Sequence, residues 1–97
     1  MGQRLLHRRL AQVSARMREV QEELRVVEDQ LAHLVDDADD KSLRAMVAET
    51  PHAQFEHHEA RKHADAMGKH RDDLRITLAE LGMKLDDLLD RLKENAQ

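Results

Sequence analysis

Apolar residues recur along the first third of the chain at alternating steps of four and three: Leu6, Leu10, Val13, Met17, Val20, Leu24, Val27, Leu31 and Leu34. This is the a/d seam of a coiled coil, and it runs without interruption. A second run, Met67, Leu74, Leu78, Leu81, Leu85, Leu88 and Leu92, follows towards the C-terminus. Carried upstream, its register places Ala64, Ala60, His57 and Ala53 on the same stripe, with Arg71 as the one strong violation. Both periodicities are helical, so the pattern predicts an all-α protein.

The stretch between the runs carries the punctuation. Helices tend to stop before the residue preceding a proline, and proline suits the first position of a new helix. Thr50-Pro51 therefore reads as the N-cap and first residue of a long helix over about 51–94. Asp36, Asp37, Asp39 and Asp40 make a poor helix interior and sit badly near a helix C-terminus. They predict a helix over about 3–35, an acidic break at 36–40 and a short helix over about 41–49. That short helix would carry Leu43, Met46 and Val47 on one face. A single helix to residue 49 is the competing reading, because no Gly or Pro marks the break.

In antiparallel pairing, a positions of one helix lie level with d positions of the other. Leu6 with Leu92, Leu10 with Leu88, Val13 with Leu85 and Leu34 with Ala64 all meet this with one constant offset. The same offset puts the turn at residues 49 and 50, beside Pro51. The predicted fold is thus an antiparallel coiled-coil helical hairpin with a short helix near its tip. The same offset brings Arg9 and Arg16 near Arg91 and Lys84, a like-charge crowding that Asp86, Asp87, Asp90 and Glu94 stand close enough to offset.

Two helices offer each other only a seam, and 97 residues with one aromatic, Phe55, supply a small core. Further apolar residues lie off the seam: Phe55, Ile76 and Met83 at the outermost heptad position f, Val26 at c, and Leu89 beside the seam at e. Gly68 and Gly82 also occupy e, and a mid-helix glycine costs about 1 kcal/mol relative to alanine. Ile76, Met83, Leu89 and Phe55 are therefore the candidate contact residues. They predict a homo-oligomer, a dimer of hairpins forming a four-helix-bundle-like core.

Charge divides the chain. Residues 1–18 hold Arg4, Arg8, Arg9, Arg16 and Arg18 with no acid, whereas residues 36–59 hold seven acids against Lys41 and Arg44. The acidic Asp36, Asp37, Asp39 and Asp40 form the second candidate site, at the hairpin tip. With a net charge of −4 and no aromatic poised to stack on bases, nucleic-acid binding is not expected. An acidic tip on a coiled-coil hairpin resembles, in shape alone, bacterial transcription factors that enter the RNA polymerase channel; their sequence motifs and zinc ligands are absent here. That likeness supplies an alternative function, a regulator acting through its tip.

Chemistry-bearing motifs are few. His58-Glu59-Ala60-Arg61-Lys62-His63 resembles the zinc-protease helix motif, but its second His stands five residues on, about 140° around a helix, where both imidazoles cannot grip one ion. His52, His57, His58, His63 and His70 cluster within nineteen residues, and imidazole titrates near neutral pH, which makes this end the candidate pH or metal sensor. Ser14 and Ser42 lack an evident base. No catalytic residue, no cofactor site and no metal site is assigned. The chain has no cysteine and no segment approaching a membrane span, and Leu6 stands where a myristoylation signal needs Ser or Thr. The expectation is a cytoplasmic, non-catalytic protein–protein interaction module.

Overall fold

The computed structural model describes residues 2–96. It holds two helices, α1 (Gly2–Ala48) and α2 (Pro51–Asn95), and among the described residues no strand. The fold is an all-α helical hairpin. The helices pair within two compact units. One is built from residues up to Leu24 and from Leu74 onward, and the other is Arg25–Asp73.

The turn is made by Glu49 and Thr50 alone. Glu49 adopts φ 51°, the left-handed conformation that commonly ends a helix, although glycine usually occupies it. Its N–H donates to the Ala45 carbonyl at 3.1 Å. Thr50 then caps α2: its Oγ1 accepts from the Ala53 N–H at 3.1 Å, and its carbonyl accepts from the Gln54 N–H at 3.1 Å. Pro51 follows at the first helical position, where its missing N–H costs nothing. The Gln54 side-chain amide reaches back to the Ala45 carbonyl at 3.4 Å, a second donor to the acceptor that Glu49 already engages.

In the first unit, Leu6, Val13 and Leu88 are buried together, with Leu10, Met17, Leu81, Leu85 and Leu92 packed around them. These residues are the seam positions that the constant offset pairs. Val20, on the same stripe, is fully buried. In the second unit the seam is narrower. Val27, Ala38, Ala45, Ala60 and Ala64 are buried, while Lys41, His57, Met67 and Arg71 are half-buried.

The acidic break does not form: α1 continues unbroken through residues 36–40, and residues 41–48 are its last turns rather than a separate helix. The stripe explains this. Past Leu34 it proceeds through Ala38, Lys41 and Ala45, and both alanines are almost completely buried, at 0% and 3% exposure. A helix held by tertiary packing tolerates residues of weak propensity. All four aspartates lie on the exposed side. Asp37 there pairs with Lys41 one turn on, at 3.1 Å, and Asp39 with Arg61 of α2, also at 3.1 Å.

Candidate functional site

Coiled-coil geometry leaves positions b, c and f facing away from the partner helix, so function at the surface is written there. On α2, in the first unit, Ile76 and Met83 are 57% and 67% exposed, and Leu89 is exposed beside them. Phe55, in the second unit, is also exposed. Gly82 lies near Met83 on the same helix, and a Cβ added there would meet nothing within 4 Å. No glycine has positive φ. Neither backbone conformation nor packing within the hairpin therefore calls for glycine at 82. Gly68 is similar, since its Cβ would touch only Leu31 Cδ1 at an ordinary 4.0 Å.

The tip carries three large apolar residues on one outer face of the continuous α1. Leu43, Met46 and Val47 are exposed, Val47 by 86%. They belong to the last turns of α1 rather than to a separate short helix, and they occupy positions f, b and c. Extending the heptad frame past Leu34 would have revealed this. Leu43, Val47, Ala48 and Ala53 line an open groove of about 550 Å³, with Arg44 and Glu56 on its rim. One and two turns earlier on α1, at the equivalent positions f, b and c, stand Asp36, Asp39 and Asp40, all exposed. Asp37 and Asp39 are engaged by Lys41 and Arg61, whereas Asp36 and Asp40 have no ion pair among the described residues.

At the open end, Arg9, Lys84 and Arg91 do line one cleft, of about 380 Å³. The crowding is relieved within each helix: Asp87 bonds Arg91 at 3.3 Å and Glu19 bonds Arg16 at 3.1 Å. Leu5 is exposed nearby on α1, between the exposed Arg4 and Arg8.

The histidines are dispersed. His57 is half-buried on the seam, His52, His58, His63 and His70 are exposed, and His52 lies 3.2 Å from Glu56. No group of three or more His, Asp or Glu side chains among the described residues is placed to hold a metal ion. Arg71, the seam violation, is accommodated by turning its guanidinium outward, where Nε and Nη2 donate to Asp72 Oδ1 at 3.1 and 3.0 Å. Arg71 lines one open groove together with Leu31 and Val35. No described helix is long and apolar enough to cross a membrane.

No family model, curated protein or solved structure matches this chain. The residues themselves carry the functional argument.

Proposed function

We propose that this chain is a non-catalytic, cytoplasmic protein–protein interaction module that self-associates as a dimer of hairpins through the Ile76–Met83 face of α2. The observation that supports this reading is the pairing of two large exposed apolar side chains, one heptad apart, with a glycine that the single hairpin does not need. Isolated exposed apolar residues are ordinary. A mid-helix glycine beside two of them is different, because it costs about 1 kcal/mol and is offset only if something outside the hairpin comes close. Covering Ile76 and Met83 would contribute roughly 1–2 kcal/mol each per subunit, given their partial exposure.

The test is the mass of the full chain in solution. At high ionic strength the wild type is expected at twice the chain mass, and Ile76→Glu with Met83→Glu at the monomer mass with its helix content unchanged. Gly82→Ala sharpens the test through opposite signs: it should raise helix stability in dilute monomer and weaken the dimer. A wild type that is monomeric at every concentration, or a Gly82→Ala chain that dimerises more tightly, overturns the reading.

A second reading, a regulator acting through its acidic tip on a protein such as the transcription machinery, is favoured by the exposure of Leu43, Met46 and Val47 beside Asp36 and Asp40. Charge reversal at Asp36, Asp37, Asp39 and Asp40 separates the two. It should spare binding through the α2 face and abolish a function that works through the tip.

A further inference from the structure

The exposed apolar end of α1 has a chemical complement elsewhere in the same chain. Leu43, Met46 and Val47 project outward at the tip, a groove runs beside Leu43 and Val47, and the same outer strip carries Asp36 and Asp40, with no ion pair among the described residues. A segment suited to this surface offers an exposed aliphatic side chain bracketed by cations at helical spacing. Residues 4–8 do so. Leu5 is exposed, Arg4 and Arg8 lie on either side of it on the outer face of α1, and neither has an ion-pair partner among the described residues. No acid precedes Glu19 in the sequence.

We propose that the tip surface formed by Leu43, Met46 and Val47 with Asp36 and Asp40 docks the Arg4–Leu5–Arg8 segment of a second copy of this chain. Leu5 covers apolar surface beside Leu43 and Val47, and the two arginines meet the two unengaged carboxylates. Apolar contact supplies the affinity, and the charges fix which segment is accepted and in which direction. The contact uses none of the Ile76–Met83 face, so the two surfaces can be broken independently. Where both operate, each dimer offers two tips and two basic segments, and assembly proceeds beyond the dimer.

Two charge-reversed full-length chains test this: one with Asp36→Lys and Asp40→Lys, the other with Arg4→Glu and Arg8→Glu. Both changes suit a helix, because lysine is a better helix former than aspartate and glutamate about as good as arginine, and all four positions are exposed, so folding is retained. Ile76→Glu and Met83→Glu are added to every chain to remove the other face, and association is followed by sedimentation velocity. The unreversed chain should associate at low salt and lose at least about tenfold in affinity when ionic strength rises tenfold, as the Debye length shortens. Each reversed chain should stay monomeric alone, and an equimolar mixture of the two should recover the complex. Val47→Lys, at an exposed position that folding does not use and with a cation that suits a helix C-terminus, should weaken the complex by about tenfold or more. If both reversed chains behave like the unreversed one, or their mixture fails to associate, the proposal is wrong. A dimer lost only on substituting Ile76 and Met83, with no salt-sensitive species beyond it, removes this contact and leaves the preceding reading standing.

Discussion

Arg61 of α2 donates from Nη2 to Oδ1 of Asp39 on α1 at 3.1 Å, across 22 residues of sequence. The pair ties the helices together where the seam has narrowed to alanine, and it engages one member of the aspartate cluster. Both side chains remain well exposed, at 41% and 61%, so water and salt screen the attraction. Substituting either residue by alanine is expected to cost less than about 1 kcal/mol, with a coupling energy of similar size in a double-mutant cycle. Urea unfolding of the four chains measures it. A coupling of several kcal/mol would mean that the pair is far less solvated than its exposure implies.

Glu49 holds the left-handed conformation at the turn without being glycine. That backbone costs an L-residue roughly 1–2 kcal/mol, and glycine escapes the penalty while losing some chain entropy on folding. Glu49→Gly should therefore stabilise the hairpin by about 0.5–1 kcal/mol in denaturant unfolding, and the β-branched Glu49→Val should destabilise it by more than that. An unchanged midpoint for both would show that the turn is not held at this φ in solution.

The seam of the second unit contains His57 and Lys41, both half-buried on the stripe and level with each other in the antiparallel register. Polar residues at seam positions lower stability while fixing register. Lys41→Leu together with His57→Leu should add roughly 1–3 kcal/mol of local stability through apolar burial. Amide hydrogen exchange in residues 34–45 and 53–64 should slow accordingly, while exchange around Val13 and Leu85 changes little. Faster exchange in those segments would show that the Asp37–Lys41 ion pair matters more to the tip than seam burial does.

Most of the hairpin was legible in the residues. The leucine and valine spacing names the helices, Thr50-Pro51 names their boundary, and one constant offset names the pairing. These are local or nearest-neighbour properties, dictated by a period of three and four and by the stereochemistry of proline. Of the candidate contact residues, Ile76, Met83, Leu89 and Phe55 are found exposed, as positions e and f require.

The tip was not legible in the same way. Four aspartates within five residues are locally unfavourable to a helix, and local propensity alone predicts a break. Whether a helix survives such a stretch depends on what its other face buries, and here that is Ala38 and Ala45 packed in the hairpin. The tertiary structure thereby decided that α1 is continuous. Continuity turned Leu43, Met46 and Val47 outward, paired Asp37 and Asp39, and left Asp36 and Asp40 unengaged among the described residues. The sequence by itself determined that two helices pair and in what register, because that follows from periodicity. Only the packed structure decided which face the tip presents, because there a few kcal/mol of aspartate propensity compete with burial, and burial prevails.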